Sequence, residues 1–116
     1  MTTRRQGVNR AAALADLRRY YPPADTEAAW LRQVQDLARL LGWHDYHPYL
    51  SIRSARGWPD LALVRPPRLI LAELKRNGGK LTLAQVVWIE LLSQCPGVET
   101  YVWFPRDLEA VAAVLR

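Results

Sequence analysis

Three charged side chains lie in or beside apolar segments of the chain: Asp60, Glu73 and Lys75. Carboxylate oxygens suit Mg²⁺, which takes one or two of them and keeps several water molecules. The backbone carbonyl of Leu74 is a further candidate oxygen ligand. A lysine ammonium cannot bind a cation, but it can orient a water molecule or stabilise charge that develops on a phosphate, and the neutral amine can deprotonate the water. These residues therefore predict a site where a metal ion, an attacking water and a phosphate meet.

The segments that carry these residues predict a β-hairpin. DLALV, from Asp60, and LILAELK, up to Lys75, are apolar, and Pro66-Pro67 separate them. If the prolines lie at the centre of the turn, Asp60 opposes Glu73, with Cβ atoms about 4.5–5.5 Å apart. Two opposed carboxylates repel unless a cation neutralises them. Because proline cannot adopt the positive φ of tight hairpin turns, we expect a wider loop, and an off-centre one would shift the register.

Helices flank the hairpin in the predicted element order. One helix is expected from about Thr26 to Leu41, ending at Gly42. Its apolar face comprises Trp30, Val34, Leu37 and Leu41, and its polar face Arg32, Gln35, Asp36 and Arg39. Thr82 and Gln85 fit a capping box that begins a second helix. The other predicted elements are a helix over 11–21, a strand over 44–52, a strand over 99–104 and a helix over 107–115. This order predicts an α/β fold with a mixed sheet flanked by helices.

The composition fits one small domain with a polyanionic partner. The chain has 116 residues, half of them hydrophobic, and a net charge of +5. All but two of its 16 basic residues are Arg, whose planar fork matches phosphate oxygens. No segment approaches the roughly 18 apolar residues of a membrane span, so we expect no membrane partner. Cys95 is the single cysteine, and the N-terminus lacks the features of a secretory signal, so we expect a cytoplasmic protein.

Three motifs together resemble the PD-(D/E)XK nuclease superfamily: Gly57-Trp58-Pro59-Asp60, then Glu73-Leu74-Lys75, then Gln85 on the following helix. The likeness is greatest to the VRR-NUC family in its small stand-alone form. It implies a restriction-endonuclease-like core of order α-β-β-β-α-β over residues 26–116. Residues 1–25 lie outside the resemblance and form a predicted basic arm and short helix.

The resemblance implies a metal-dependent DNA endonuclease. Asp60 and Glu73 would bind Mg²⁺ or Mn²⁺, Glu27 would join them as a ligand, Lys75 would be the catalytic lysine, and Gln85 would serve the site. Stand-alone members are similar to phage or bacterial enzymes that act on DNA, some on branched DNA such as Holliday junctions and often as homodimers. We therefore expect DNA as the partner, a homodimer, and a bacterial cell or phage-infected host as the location.

Each of these residues also has a structural explanation. Pro-Asp is common in loops, so Asp60 could be a turn residue. Glu73 and Lys75 could form an ion pair on a solvated strand face. Glu27 could stabilise the dipole of its helix, and Gln85 could cap its own helix. The corresponding alternatives in function are a non-catalytic DNA-binding module that retains the nuclease fold, and a structural protein without metal dependence or DNA affinity.

The last candidate functional residues are basic residues and histidines near the site in sequence. The basic residues that flank the site in sequence are Arg53, Arg56, Arg76 and Lys80. They could belong to solvated loops, but we expect a rim that grips phosphates. His44 and His47 would lie on opposite faces of a strand, and we interpret them as structural residues or phosphate contacts.

Overall fold

The computed structural model describes residues 9–48 and 55–116. Its elements are α1 (Arg10–Ala15), α2 (Leu17–Tyr20), α3 (Glu27–Leu40), β1 (His44–Tyr46), β2 (Leu61–Arg65), β3 (Arg68–Leu74), α4 (Leu83–Ser93), β4 (Val98–Trp103) and α5 (Leu108–Leu115), with a 3₁₀ turn at Pro105–Asp107. The predicted mixed α/β fold is confirmed, while the helix expected over 11–21 is divided at Asp16. Residues 49–52 of the predicted third strand lie outside the described residues. No described helix has the length and apolar character to cross a bilayer.

The four strands form one sheet in the order β1-β2-β3-β4. β1 pairs with β2 and β2 with β3 in antiparallel fashion, whereas β3 and β4 are parallel. Parallel neighbours need a crossover connection, and α4 provides it. The sheet is therefore mixed, as predicted.

The β2–β3 hairpin has the predicted pairing but a shorter loop. The paired residues include Val64 with Leu69 and Ala62 with Leu71. Arg65 also pairs with Arg68, so the turn consists of Pro66-Pro67 alone, joined by a cis peptide bond. The expectation of a wider loop was wrong, because the strand pairing extends to Arg65 and Arg68 and leaves only two residues in the turn. Asp60 directly precedes β2, and the same register continued places it beside Glu73.

The sheet has two different faces because successive side chains in a strand alternate. One face packs against α3 and α5 in the hydrophobic core. The core residues contributed by α3 and the following turn include the predicted ones, Trp30, Val34, Leu37 and Leu41, and also Ala38. Leu17 and Tyr21, from the N-terminal segment, belong to the same core. The opposite face carries Glu73 and is the side on which α4 lies.

Asp36 does not lie on a solvated helix face, as the periodicity of α3 suggested. It is only 9% exposed, and the Tyr21 hydroxyl donates a hydrogen bond to its Oδ2 at 2.7 Å. The expectation was wrong because the N-terminal segment covers this side of α3, which the helix pattern alone does not encode.

Candidate active site

Glu73 is the most unusual side chain of the sheet. It lies on β3 with 1% exposure. Gln85 donates a hydrogen bond from Nε2 to Glu73 Oε2 at 2.8 Å. The other oxygen, Oε1, is buried and has no hydrogen-bond partner among the described residues. A buried carboxylate oxygen without a partner is costly unless a cation or a proton satisfies it. A bound cation or a proton would therefore satisfy Glu73 Oε1.

Asp60 converges on Glu73. Burial raises the pKa of Glu73 to about 9, and the neighbouring Asp60 carboxyl with its charge contributes to the same shift. The Glu27 carboxylate raises the same pKa, and the Lys75 ammonium lowers it. The two central carboxyl groups thus lie side by side on one face of the sheet, as the strand pairing predicts, with the charges of Lys75 and Glu27 acting on the pair.

Backbone contacts fix the position of Asp60. Its Oδ2 accepts a hydrogen bond from the Leu74 backbone N–H at 3.0 Å, and its carbonyl oxygen lies 2.7 Å from His47 Nδ1. The N–H and C=O of a strand residue point to the same side, so the Leu74 carbonyl is directed to the side of Asp60 as well. That geometry supports Leu74 as a candidate backbone ligand.

A cavity opens next to Asp60. Its volume is about 210 Å³, and it is lined by Glu27, Ala28, Leu31, His47, Asp60 and Leu74. The structure therefore brings the first-turn glutamate of α3 to the cavity that holds Asp60, although Glu27 itself is exposed. Glu27 also begins α3, so its position suits the helix dipole at the same time.

The loop before Asp60 is held against α4. Gly57 has φ +85°, and a Cβ there would lie 2.5 Å from the Ala84 backbone carbon. Trp58 contacts Trp88 edge to face, with ring centroids 4.9 Å apart. The Trp88 indole N–H also donates to the Arg56 carbonyl at 3.0 Å. The segment that carries Asp60 and the helix that carries Gln85 therefore form one packed unit.

Gln85 makes both of the contacts that the sequence left as alternatives. Its Oε1 accepts from the Thr82 backbone N–H at 2.8 Å, and the Thr82 hydroxyl accepts from the Gln85 N–H, which completes a capping box. Its Nε2 simultaneously donates to Glu73. One amide thus caps α4 and orients a carboxylate, so the two roles do not require different states.

The donor set fits Mg²⁺ better than a metal that needs many protein ligands. Over residues 9–48 and 55–116, no three Asp, Glu, His or Cys side chains converge into a metal-binding group. Zn²⁺ normally takes three or four protein ligands, whereas Mg²⁺ keeps several waters beside one or two carboxylates. Asp60, Glu73 and a backbone carbonyl match the second pattern, and the unpartnered Glu73 oxygen supports it.

The basic residues lie around the site on loops. Arg56 precedes Asp60 in the chain, Arg76 and Lys80 connect β3 to α4, and all three are exposed. Arg76 Nη1 donates to the neighbouring Asn77 carbonyl at 3.3 Å. Arg53 lies outside the described residues.

His47 lines the cavity beside Asp60, whereas the sequence reasoning interpreted it as a structural residue or a phosphate contact. Its position three residues after His44 suggested opposite faces of one strand. The strand ends at Tyr46, however, so His47 leaves the sheet and reaches the Asp60 carbonyl. Pro48 is the sequence signal that could have indicated this early strand end.

Comparison of the chain with protein families, with curated proteins and with solved structures gives no match. The interpretation of the site therefore depends on its geometry and on the motifs.

Proposed function

We propose that the protein is a metal-dependent endonuclease that hydrolyses phosphodiester bonds in DNA. The observation that carries the proposal is the convergence of Asp60 and Glu73. Glu73 Oε1 is buried and has no hydrogen-bond partner among the described residues. The proposed family is VRR-NUC, of the PD-(D/E)XK superfamily, with a restriction-endonuclease-like core in the order α-β-β-β-α-β. The motifs around Asp60, Glu73, Lys75 and Gln85 support it.

In the proposed mechanism Asp60, Glu73 and the Leu74 carbonyl would hold Mg²⁺ or Mn²⁺. The bound ion would stabilise negative charge on the phosphate that is attacked. Lys75, whose positive charge acts on Glu73, would orient the attacking water, or in its neutral form would receive the proton of that water. Gln85 holds Glu73 in place through Oε2 and leaves Oε1 available. Glu27 faces the same cavity and is the candidate for an additional ligand.

DNA would contact the exposed basic loops. Arg56, Arg76 and Lys80 are the described candidates for phosphate contacts, and Arg53 is a further candidate from the sequence. The acidic pair repels phosphates when no cation is present. We therefore expect a bound metal ion to strengthen DNA binding. A non-catalytic DNA-binding module would bind DNA without this dependence on metal.

The proposed function also includes a substrate and an oligomeric state. Branched DNA, such as a Holliday junction, is the first substrate to test. A chain with one site cuts both strands more readily as a symmetric dimer, so we propose a homodimer. The proposed setting is the cytoplasm of a bacterial cell or a phage-infected host.

A cleavage panel tests this function. Labelled junction, flap, single-stranded and duplex DNAs are incubated with the protein in Mg²⁺, in Mn²⁺ and in chelator. We expect cleavage of at least one substrate with metal and none with chelator. Binding without cleavage under every metal condition would instead support the non-catalytic module, and neither binding nor cleavage would support the structural protein.

A further inference from the structure

The loop that follows β3 lies against the turn that follows β4. The two strands are parallel, so their carboxyl ends meet at one edge of the sheet, where Leu74 pairs with Trp103. The Lys75 backbone N–H donates to the Trp103 carbonyl at 3.0 Å and so extends this contact beyond β3. Further along, the Arg106 backbone N–H donates to Asn77 Oδ1 at 3.2 Å, across 29 residues of sequence. The fold therefore places Arg106 beside the loop that begins at the proposed catalytic lysine.

Asn77 connects two arginines at this edge. Its side-chain oxygen accepts from the Arg106 backbone, and its carbonyl accepts from Arg76 Nη1 at 3.3 Å. Both arginine side chains are exposed. Within the part of the chain that the structure describes, no ion pair joins either arginine to a carboxylate. Two neighbouring cations repel each other, so an anion held between them would stabilise this edge of the sheet.

The Arg106 guanidinium is already oriented. Its Cζ lies 4.2 Å from the centroid of the Phe104 ring, so the ring covers one face of the guanidinium. Stacking of this kind leaves the N–H donors, which point outwards in the guanidinium plane, for other partners. Their fork matches the oxygens of a phosphate. An arginine that is ordered before binding also loses less conformational entropy when the phosphate binds.

The turn that carries Arg106 is attached to the rest of the fold on its other side as well. Arg18 of α2 donates from Nη2 to the Pro105 carbonyl at 2.7 Å. Asp107 does not neutralise Arg106 through an ion pair, and its Oδ2 accepts from the Phe104 backbone N–H at 2.8 Å. The N-terminal segment and the Asn77 loop thus hold the turn from two directions, and Arg106 projects from a fixed backbone.

We propose that Arg76 and Arg106 together bind one phosphodiester of a DNA strand, beside the phosphate that is cleaved. This inference rests on the proposed function, because it takes the acidic pair as the cleavage site. Arg76 lies three residues after Glu73, which corresponds to roughly 10 Å of extended chain. A strand whose scissile phosphate lies at the acidic pair would therefore bring a neighbouring phosphate to the two arginines. Such a contact carries no sequence information, but it fixes the position of the strand relative to the site.

DNA binding at several salt concentrations tests the subsite. Fluorescence anisotropy of the full chain with labelled junction and duplex DNA is measured in chelator, so that cleavage does not interfere. We expect Arg106→Gln to weaken binding about 10-fold. It should also reduce the slope of log affinity against log salt by about 0.9, the value for one phosphate contact. The backbone hydrogen bond to Asn77 survives this substitution, so the circular dichroism spectrum should not change.

Arg116→Gln is the matched control, since it removes the same charge from another exposed arginine. The Arg116 carbonyl accepts from Arg65 at the hairpin end of β3, and seven residues of strand, roughly 20 Å, separate that end from Asn77. We expect this variant to bind DNA with the wild-type slope. The double variant Arg76→Gln/Arg106→Gln should bind more tightly than the product of the two single losses predicts, because the two arginines share one phosphate.

Four results would overturn the inference. The first is a wild-type chain that binds neither DNA. The second is an equal change of affinity and slope in Arg106→Gln and Arg116→Gln, and the third is a pair of single losses that multiply in the double variant. The fourth is an effect of Arg106→Gln that appears only when the DNA carries a terminal phosphate, since the ligand would then be a strand end. DNA that is bound with the expected dependence on Arg106, but never cut in Mg²⁺ or Mn²⁺, would contradict only the proposed function.

Discussion

The protonation of Glu73 provides a quantitative prediction. Burial and the neighbouring Asp60 carboxyl raise its pKa from 4.5 to about 9 in the folded chain. In the unfolded chain the same carboxyl loses its proton near its ordinary pKa. Between about pH 5 and pH 9 the metal-free folded state therefore holds one more proton than the unfolded state. The contribution of Glu73 to stability is full below its unfolded pKa and is lost as the pH rises towards its folded pKa.

The magnitude follows from the proton count. One extra proton in the folded state lowers the free energy of unfolding by about 1.4 kcal/mol for each pH unit within this window. Glu73→Gln has no titrating group and should remove that slope. Glu90→Gln removes an exposed carboxylate from α4 and should leave it unchanged. Mg²⁺ requires the deprotonated carboxylates, so its binding to the wild-type chain near pH 7 should release about one proton.

Two assays measure these effects. Urea unfolding, followed by tryptophan fluorescence in chelator at several pH values, gives the slope for each variant. Calorimetric titration with Mg²⁺ in buffers of different ionisation enthalpy gives the number of protons released. Equal slopes for the wild-type chain and Glu73→Gln, with no proton released on Mg²⁺ binding, would refute the reasoning.

Three further predictions concern residues around this pair. Lys75→Ala should lower the cleavage rate by a factor of about 10²–10⁴ in single-turnover assays while DNA affinity persists. Gly57→Ala should lower the free energy of unfolding by more than the roughly 1–2 kcal/mol expected of Gly97→Ala. The reason is that both glycines have positive φ but only Gly57 lies against another backbone. Gln85→Ala should weaken Mg²⁺ binding about 10–100-fold in calorimetry. Thr82→Ala should leave Mg²⁺ binding unchanged and lower only the free energy of unfolding, by about 1 kcal/mol, because the helix cap is lost.

Each of these predictions has an outcome that contradicts it. Normal cleavage by Lys75→Ala would exclude the proposed role of the lysine. Equal losses of stability in the two glycine variants would mean that the contact with Ala84 is unimportant. If Gln85→Ala and Thr82→Ala bind Mg²⁺ with the same affinity, the amide of Gln85 does not position Glu73.

The hairpin and the helix starts could be predicted because local rules determine them. Strand alternation and a turn centred on Pro66-Pro67 were enough to oppose Asp60 and Glu73. The capping pattern at Thr82 and Gln85 gave the start of α4 correctly. In each case residues close in sequence carry the whole signal.

The remaining features depend on contacts between distant segments. The burial of Asp36 requires Tyr21 to fold over α3. The contact of His47 with Asp60 requires the strand to end at Tyr46. The exposure of Leu83, Val87 and Leu91 on α4 was also not predicted, because an apolar helix next to a strand pattern ordinarily indicates a buried helix. A sequence pattern shows which side chains share a face but not what that face meets.

The central claim is that Asp60 and Glu73 together bind a divalent cation. Anomalous diffraction from crystals of the protein soaked in Mn²⁺ tests it most directly, with Glu73→Gln crystals as the control. We expect a peak within about 2.0–2.2 Å of oxygens of both carboxylates, and its loss in the variant. A wild-type crystal with Mn²⁺ bound elsewhere, and no peak between these two residues, would contradict the account.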